Sequence, residues 1–366
     1  MKIVIIGGHI SPAASLIEEI KDKKDILFIG RKYALEGDKA LSLEYKICQQ
    51  KGIEFSSITA GRLQRKFTRF TIGSILKIPK GFYQSYKILK KFNPDVVVGF
   101  GGYVSLPVVM SAFVLKIPVV IHEQTLEAGF ANRIEAFFAK KVCISFEKSR
   151  DFFPKEKTVL TGNPIRGEII NPNSNLELPS DNIPLIYVTG GSLGSVFINA
   201  LIEKDLKYLL SKYRLVHQTG SANNSEYYSR LKELKKTLGN DLRSRYIVSD
   251  HFSADEVGVI LREASLVVAR AGINTITELL FLNKPALLIP LSTSSRNEQQ
   301  KNALFLMDIG LARILDQSNL SNQDFLSAIG FMIKNIANYK SNENKEYLNE
   351  NASSSILKVI ENEAKK

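Results

Sequence analysis

Cysteine is scarce in this 366-residue sequence, which contains only Cys48 and Cys143. Both lie in apolar or helical contexts, and no Cys-x-x-Cys pair is present. The scarcity excludes a disulfide framework and favours buried thiols in a reducing compartment. We therefore expect a cytosolic protein.

Signals for export and for membrane insertion are also missing. The first residues run directly into a strand pattern, Lys2-Ile-Val-Ile-Ile6, instead of a basic and apolar leader. No apolar run approaches the length of a membrane-spanning helix, which is about 20 residues. Short-period repeats and low-complexity stretches are absent as well. The composition, with 44% hydrophobic and 23% charged residues, is that of a folded globular protein.

Metal-binding patterns are absent from the sequence. No two of the four histidines, His9, His122, His217 and His251, have the spacing of metal ligands. Asp-x-Asp does not occur, which disfavours a sugar transferase that holds its diphosphate through a carboxylate-bound metal. We expect no metal and no other cofactor.

Positive charge is in excess, with a formal net charge of +12 at pH 7. Such a surface attracts phosphates, nucleic acid or anionic lipid, and charge alone does not choose among them.

Strand-length apolar runs alternate with helical patterns throughout the chain, which predicts parallel sheets with helices on both faces. The length exceeds the size at which one core stops growing, so two doubly wound α/β domains are expected. The predicted strands are Lys2 to Ile6, Ile26 to Ile29, Val96 to Val98, Val119 to Ile121, Val142 to Ser145, Leu185 to Thr189, Leu215 to Gln218, Tyr246 to Val248, Leu266 to Ala269 and Ala286 to Ile289.

A polar, proline-punctuated segment, Asn171 to Pro184, predicts the domain boundary. We expect a first domain at 1–166, a linker at 167–184, a second domain at 185–340 and a helical tail at 341–366. Such a tail often packs back on the first domain.

Glycine turns between a strand and a helix occur in the second half. Tyr187-Val-Thr-Gly-Gly-Ser-Leu-Gly194 predicts a diphosphate site at a helix start, where Ser192 can donate its hydroxyl to a phosphate oxygen. The alternative is a plain βα connection. Leu266 to Glu278 has the same pattern, and Glu278 is either a ligand-binding carboxylate or the end of a capping box begun by Thr275.

The first half has two comparable loops, Ile6 to Pro12 and Val98 to Pro107. His9 in the first loop is a candidate general base, because its unperturbed pKa lies near working pH; the alternative is a capping or packing histidine. The polar run His122-Glu-Gln-Thr125 directly follows a predicted buried strand and implies a polar ligand or an internal network. Glu123 either orients His9, binds sugar hydroxyls or caps the following helix.

Together these motifs resemble the MurG family of UDP-N-acetylglucosamine transferases, which add the second sugar to lipid I in peptidoglycan synthesis. The resemblance covers nearly the whole chain. The motifs that carry it, in the family's order, are Gly99-Phe-Gly-Gly-Tyr103, His122-Glu-Gln124, Gly162-Asn-Pro-Ile-Arg166, Gly190-Gly-Ser192, His217-Gln218, Arg270-Ala-Gly272, Glu278 and Gln299-Gln-Lys-Asn-Ala303. Two departures are Gly7-Gly8-His9 in place of the usual GGTGGH and Thr125 in place of a common asparagine.

The resemblance implies a GT-B fold, with two Rossmann-like domains facing across a cleft, and a metal-independent reaction. By it, Glu278 binds the ribose, Ser192 and Arg166 contact the diphosphate, Ile247 or a near neighbour lines the uracil pocket, and Gln299 reads the sugar hydroxyls. The implied donor-binding residues are Thr125, Arg166, Ser192, Ile247, Gly272, Asn274, Thr275, Glu278 and Gln299. Those implied on the acceptor side are Gly8, Gly101, Gly102, Tyr103, His122 and Gln124.

A run of cations and large apolar groups in the first half predicts an anchor on an anionic membrane surface. The residues expected to dock are Arg62, Arg65, Lys66, Phe67, Arg69, Phe70, Leu76, Lys77 and Phe82. A basic loop followed by an ordinary amphipathic helix is the alternative. No recognised nucleic-acid motif accompanies the charges, so nucleic acid is not expected as a partner.

The expected function is inverting transfer of N-acetylglucosamine from UDP-N-acetylglucosamine to the 4-hydroxyl of the N-acetylmuramoyl group of lipid I. His9 is the predicted base, with Glu123 assisting, at the cytoplasmic face of the membrane. The rivals are a UDP-N-acetylglucosamine 2-epimerase and a non-catalytic sugar-nucleotide-binding protein. A nicotinamide dehydrogenase is disfavoured, because Gly7-Gly8-His9 lacks the G-x-G-x-x-G spacing.

Overall fold

The computed structural model describes residues 1–20, 22, 25–33, 41–59, 69–221, 225–294, 297–341, 349 and 351–364, with only the backbone of residues 69–78. The chain divides into two compact units. The first unit comprises Met1–Arg166 and Asn349–Lys366, and the second comprises Gly167–Leu348.

The first unit contains a parallel sheet. Its strands are β1 (Ile3–Ile6), β2 (Ile26–Gly30), β3 (Glu54–Ser57), β4 (Val96–Gly99), β5 (Val119–Glu123), β6 (Lys141–Ile144) and β7 (Thr158–Leu160). Over the described residues their order is β3-β2-β1-β4-β5-β6-β7, and every neighbouring pair is parallel. The strand order reverses between β1 and β4, which is where open parallel sheets bind ligands.

Helices cover the sheet of the first unit. They are α1 (Ile10–Glu19), α2 (Leu43–Gln50), α3 (Arg69–Phe92), α4 (Ser105–Val114), α5 (Phe130–Phe138) and, from the end of the chain, α15 (Ala352–Ala364). Ile356 and Ile360 of α15 are fully buried in one apolar cluster with Leu16 and Ile17 of α1. Burying a side chain of this size stabilises a fold by roughly 1.5–3 kcal/mol. The helix at the end of the chain is therefore part of the first unit's core.

The second unit repeats this architecture. Its strands are β8 (Leu185–Thr189), β9 (Arg214–Gln218), β10 (Tyr246–Ser249), β11 (Leu266–Ala269), β12 (Ala286–Leu288) and β13 (Ala312–Ile314). Its helices are α6 (Gly167–Ile170), α7 (Val196–Lys204), α8 (Leu206–Lys212), α9 (Glu226–Lys236), α10 (Asn240–Ser244), α11 (Ala254–Glu263), α12 (Ile273–Phe281), α13 (Glu298–Asp308) and α14 (Asn322–Lys334). In the described ranges the strand order is β10-β9-β8-β11-β12-β13, all parallel, and it reverses between β8 and β11.

The segment expected to be a linker, 167–184, belongs to the second unit. Its first turn packs on α11, where a Cβ on Gly258 would lie 2.2 Å from the carbonyl oxygen of Glu168. The side chain of Arg262 also donates a 3.2 Å hydrogen bond to the carbonyl of Ile169.

The prediction of two α/β halves with parallel sheets is confirmed. Strands β3, β7 and β13 were not predicted, because they are short and carry polar residues among the apolar ones. His122 and Glu123 are the last residues of β5, whereas the sequence placed them just after the strand. In the part of the chain that the structure describes, no helix has the length and hydrophobicity needed to cross a membrane.

Candidate active site

In the first unit, the loops after β1 and β4 touch where the strand order reverses. The backbone N–H of His9 donates a 3.2 Å hydrogen bond to the carbonyl of Phe100. A Cβ on Gly8 would lie 1.9 Å from the carbonyl oxygen of Gly101, so this contact requires glycine. Gly101 and Gly102 have φ angles of 72° and 82°, which also favour glycine. The structure thus brings Gly8, Gly101 and Gly102 together beside His9.

The His9 side chain does not cap a helix, although its backbone immediately precedes α1. The imidazole is open to solvent, yet the protein surrounds it closely enough to remove much of its hydration. This desolvation lowers the pKa of His9 below 6.5, while the charge of Glu123 opposes the shift. A lowered pKa keeps the ring neutral at neutral pH, and a neutral ring can accept a proton. The missing side-chain cap argues against the capping alternative, and the role of His9 as general base stays a prediction.

The Glu123 carboxylate is buried and held by its own loop. It accepts hydrogen bonds from the backbone N–H of Thr125 (3.0 Å), the backbone N–H of Gly129 (2.8 Å) and the side-chain amide of Asn132 (2.9 Å). Gly129 is the N-cap of α5, so the carboxylate fixes the start of that helix. Among the described contacts it makes no hydrogen bond to His9. This geometry supports the alternative in which Glu123 caps the following helix, and its assistance to His9 stays a prediction.

Thr125 is also used inside this loop. Its hydroxyl oxygen lies 2.5 Å from Glu123 Oε1 and 2.6 Å from the carbonyl oxygen of Glu127, and the side chain is buried. A hydroxyl has a single proton, and these neighbours occupy it, so Thr125 is left only its acceptor capacity for a ligand. The contact of Thr125 with the donor sugar stays a prediction.

His122 is buried beneath the same edge of the sheet. Its Nε2 lies 3.1 Å from the hydroxyl of Ser145 and 3.3 Å from the carbonyl oxygen of Gly162, while Nδ1 is buried without a hydrogen bond. Burial lowers the pKa of His122 to about 4. The ring is therefore neutral, and it supports the loops without reaching solvent.

Three neighbours of His122 also have a buried oxygen without a hydrogen bond: Gln124 Oε1, Asn132 Oδ1 and Glu135 Oε1. Burial raises the pKa of Glu135 to about 8, against a 2.9 Å hydrogen bond from the Ser105 hydroxyl to its other oxygen. A carboxyl with that pKa is protonated at neutral pH. Sequence reasoning did not find Asn132 or Glu135, although their i, i+3 spacing places them on one face of α5.

Two further predicted residues, Tyr103 and Arg166, belong to the first unit. Tyr103 stacks against the guanidinium of Arg31, 5.1 Å from the ring centroid, and this contact fixes the ring next to the glycine loop. Arg166 is half-buried and is the last residue of the first segment of this unit.

In the second unit, the turn after β8 leads into α7 as predicted. Gly194 fits against the loop after β9, because a Cβ there would lie 1.9 Å from the carbonyl oxygen of Thr219. Ser195 is the N-cap of α7, and Ser192 is exposed in the turn before it. An exposed hydroxyl beside a helix N-terminus suits a phosphate group.

The turn after β11 leads into α12, and it excludes the capping box considered for Thr275 and Glu278. The N-cap of α12 is Gly272, with φ −68° and ψ 146°, and it has no side-chain cap. Thr275 is the third helical residue, and Glu278 is buried inside the helix. The first turn, with an exposed Asn274 and no acidic residue, directs free backbone N–H groups outward, which suits an anion.

Arg270, between these two turns, was given no role by the sequence. Its guanidinium donates 2.8 Å hydrogen bonds to the hydroxyl of Ser195 and to the carbonyl of Ile289. It therefore ties the ends of β11 and β12 to the start of α7.

Gln299 and Asn302 of α13 also lie at the carboxyl edge of the second unit's sheet. The side-chain oxygen of Gln299 accepts a 2.9 Å hydrogen bond from the backbone N–H of Leu291, which follows β12. The Asn302 side chain donates to the carbonyl of Ala271 at 3.1 Å, just before α12. Gln299 thus lies beside the loop that follows β12.

Ile247 lies inside β10, opposite Val216, and not at the strand's end. Phe252 follows the strand and is buried. Its backbone N–H donates to the Gln218 side chain at 3.4 Å, and the Gln218 amide donates to the carbonyl of Gly191 at 3.2 Å. Gln218, which sequence reasoning assigned no role, thus links the loops after β8 and β10.

The second unit's buried histidine, His217, is fully paired. Nδ1 lies 3.1 Å from the hydroxyl of Tyr246, and Nε2 lies 3.0 Å from the side-chain oxygen of Asn199. The Asn199 amide donates to the carbonyl of Thr219 at 2.9 Å. Burial lowers the pKa of His217 to about 3, so the ring is neutral.

Most of the predicted membrane-docking residues cannot be placed. Arg62, Arg65, Lys66 and Phe67 lie outside the described residues, and Arg69, Phe70, Leu76 and Lys77 lie in the part of α3 described only by its backbone. Phe82 is half-buried, and its carbonyl accepts a 3.0 Å hydrogen bond from Ser111 of α4. Within the described ranges, no group of three or more His, Cys, Asp or Glu residues is arranged to hold a metal ion.

Comparison with known proteins agrees with this architecture. Residues 6–144 match the glycosyltransferase family 28 N-terminal domain, and residues 185–360 match the glycosyltransferase family 28 C-terminal domain. A Clostridium botulinum (strain Loch Maree / Type A3) protein is 34% identical over 98% of both chains. It is named UDP-N-acetylglucosamine--N-acetylmuramyl-(pentapeptide) pyrophosphoryl-undecaprenol N-acetylglucosamine transferase. A protein of the same name from Clostridium tetani is 32% identical, covering 98% of this chain and 97% of that one.

Two solved structures share the fold. The MurG of Acinetobacter baumannii superposes with a TM-score of 0.73 at 24% identity, covering 99% of this chain and 100% of that one. The UDP-GlcNAc 2-epimerase of Neisseria meningitidis, bound to UDP-GlcNAc, gives a TM-score of 0.66 at 16% identity with the same coverage. The fold, which is GT-B, is therefore common to a transferase and an isomerase, and sequence similarity separates the two. On that similarity, this chain belongs to the MurG family of glycosyltransferase family 28.

Proposed function

We propose that this protein transfers N-acetylglucosamine from UDP-N-acetylglucosamine to the 4-hydroxyl of the N-acetylmuramoyl group of lipid I, with inversion at the anomeric carbon, forming lipid II. The observation that carries the proposal is the 34% identity, over 98% of both chains, to a relative named for this donor and this acceptor. The order of the site motifs in both units supports it.

The donor is held by the carboxyl edge of the second unit's sheet. The starts of α7 and α12 present backbone N–H groups to the diphosphate, with Ser192, Gly272 and Asn274 beside them. Glu278 accepts hydrogen bonds from the ribose, and Gln299 forms hydrogen bonds with the hydroxyls of the sugar. The loop that carries Phe252 holds the uracil, in line with a near neighbour of Ile247.

His9 is the general base. The 4-hydroxyl oxygen of the acceptor attacks the anomeric carbon, and its proton passes to the neutral imidazole. The bond between the anomeric carbon and the phosphate oxygen breaks, and the electron pair leaves with UDP. Ser192, Arg166 and the helix start stabilise the developing charge. Glu123 contributes through its electrostatic influence on His9 and by holding α5 in place.

The acceptor is handled by the first unit. Gly8, Gly101 and Gly102 keep the two loops beside His9 close together, and Tyr103 lies at the start of the following helix. His122 and Gln124 are buried, so they act through the loops that they support.

The protein acts at the cytoplasmic face of the membrane as a peripheral protein, with anionic lipid and not nucleic acid as its partner. The helices α4 and α5 end in exposed apolar groups, with Phe113 56% and Phe137 76% exposed. The exposed cations Lys116 and Lys140 follow these helices. Apolar groups next to cations are typical of interfacial docking.

Vesicle flotation tests this docking. Phe113→Ser with Phe137→Ser should reduce binding to vesicles that contain anionic lipid. Phe331→Ser, at an exposed phenylalanine of the second unit that is 51% accessible, is the matched control and should bind normally. Equal vesicle binding by the wild type, the double variant and the Phe331→Ser variant would contradict the proposal that Phe113 and Phe137 dock on the membrane.

Release of UDP tests the proposed reaction. Purified protein with UDP-N-acetylglucosamine and a lipid I analogue should release UDP, and release should stop without the acceptor. Conversion of the sugar nucleotide to its 2-epimer without acceptor would instead favour the epimerase. No release above background would sink the transferase proposal and leave the non-catalytic alternative.

A further inference from the structure

Arg270 occupies the point in the second unit where the strand order reverses. It directly follows β11, and β8 and β11 are the neighbours between which the order changes direction. Ligands of open parallel sheets bind in the crevice at this point. The side chain is half-buried and fixed at two positions, by the hydroxyl of Ser195 and the carbonyl of Ile289.

The charge of Arg270 is not balanced by any of the described residues. Both of its hydrogen-bond partners are neutral, and among the described residues no carboxylate forms an ion pair with it. Desolvation lowers the pKa of Arg270, and no acidic group opposes the shift. A guanidinium nevertheless remains protonated in proteins. The side chain is therefore a partly desolvated cation that has no counterion in the part of the chain that the structure describes.

A second positive feature lies next to this cation. Ser195 is the N-cap of α7, so the hydrogen bond at 2.8 Å places the guanidinium at the positive end of that helix. A cation beside a helix N-terminus raises the energy of the folded protein unless an anion binds to both. These two hydrogen bonds leave other N–H groups of the guanidinium available as donors. The planar arrangement of those N–H groups matches the oxygens of a phosphate.

We propose that Arg270 binds the diphosphate of the UDP-sugar and stabilises the charge that collects on it when the sugar leaves. This inference rests on the proposed function, since it names a further residue of the same donor site. Ser195 and Ile289 fix the plane of the guanidinium before the donor arrives, so little reorganisation accompanies binding.

Calorimetric binding of UDP and of uridine tests the proposal, because the two ligands differ only in the diphosphate. Arg270→Gln should weaken UDP binding by roughly tenfold to a hundredfold, the range for a lost charge-assisted hydrogen bond, and leave uridine binding unchanged. Arg270→Lys keeps the positive charge but lacks the planar guanidinium, so it should recover part of the lost UDP affinity. Arg262→Gln is the matched control, since that arginine also donates to backbone carbonyls but lies on α11 away from this edge.

Two results would overturn the proposal. Equal weakening of UDP and uridine by Arg270→Gln would mean that the side chain only supports the fold, and unchanged UDP binding would mean that it does not contact the diphosphate. Failure of the proposed function is recognised separately. A wild-type protein that binds UDP but transfers no sugar contradicts the transferase, while the ratio of UDP to uridine affinity still decides the role of Arg270.

Discussion

The buried polar groups at the carboxyl edges of the two sheets are paired differently. In the second unit, both ring nitrogens of His217 have partners, and Asn199 and Gln218 extend this pairing to neighbouring loops. In the first unit, His122 Nδ1 and Gln124 Oε1 are buried without a hydrogen bond. Fully paired networks fix one geometry, whereas incompletely paired groups tolerate several.

Because of this difference, the carboxyl edges of the two sheets suit different roles. The second unit offers a rigid surface of helix starts and loop carbonyls, as a nucleotide site needs, because fixed dipoles need no reorganisation when the charge develops. The first unit combines a neutral His122 and a protonated Glu135 with the Glu123 carboxylate, whose charge acts on His9. Desolvation outweighs that charge, lowers the pKa of His9 and leaves the imidazole able to accept a proton.

The largest expected effect separates catalysis in the first unit from donor binding in the second. His9→Ala should reduce kcat by about 10²- to 10⁴-fold, since a positioned general base contributes that much. The dissociation constant for UDP should not change. Steady-state kinetics with calorimetry on the same preparation measures both. A variant with wild-type turnover would return His9 to a loop-packing role.

The second effect concerns the donor side. Glu278→Gln should weaken UDP binding by roughly tenfold or more, because a hydrogen bond to a charged group contributes about 1.5–3 kcal/mol. Urea unfolding should show a smaller change in stability, since the helix start does not depend on this carboxylate. If donor affinity stays at the wild-type level while stability falls, Glu278 is a structural residue.

Two substitutions of buried amides sharpen the comparison of the networks. Asn199→Leu leaves His217 Nε2 and the carbonyl of Thr219 without partners, which should cost about 1–3 kcal/mol per group. Gln124→Met removes an oxygen that has no hydrogen bond, so its cost should be smaller. Urea denaturation midpoints with an unchanged m value provide the measurement. Equal costs would mean that the two networks do not differ.

The last effect is a dependence of stability on pH. The pKa of Glu135 is raised to about 8 by burial, so the folded protein retains this proton while the unfolded chain, near pKa 4.5, loses it. Stability should therefore fall as pH rises from the ordinary value through about 8, by up to about 1.4 kcal/mol per pH unit for one proton.

Glu135→Gln keeps the group neutral, so the variant should lose this decline. The difference in unfolding free energy between variant and wild type should grow from pH 6.5 to pH 9 in favour of the variant. A constant difference across that range would show that Glu135 is ionised in the folded protein. Ser105→Ala is a useful comparison, because it removes the only hydrogen bond described for this carboxyl.

Much of the fold was predictable, because strands buried on both faces are continuous apolar runs such as Leu185–Thr189 and Leu266–Ala269. Edge strands such as Glu54–Ser57 were missed, since the face they leave open carries polar residues that hide the pattern. The capping box illustrates a second limit. Ser253 and Glu256 form a true one, whereas the similar Thr275 and Glu278 do not, because the backbone at Gly272 already starts the helix.

The candidate site was predictable as a set of loops but not as a set of contacts. The glycine turns after β1, β4, β8 and β11 lie at the carboxyl edges of the two sheets, as the sequence pattern indicated. The hydrogen bond from Arg270 to the Ser195 hydroxyl joins residues 75 positions apart in sequence. The hydrogen bonds from Gly129 and Asn132 to Glu123 depend on the path of the loop between them. No spacing rule along one chain contains that information.

The most direct test of the transferase account is the identity of the product formed from UDP-N-acetylglucosamine and a lipid I analogue. Mass spectrometry with NMR of the new anomeric proton should show one added N-acetylglucosamine in β linkage and one UDP released per product. An α linkage would contradict the inverting mechanism, and a 2-epimer of the sugar nucleotide with no glycosylated acceptor would contradict the transferase itself.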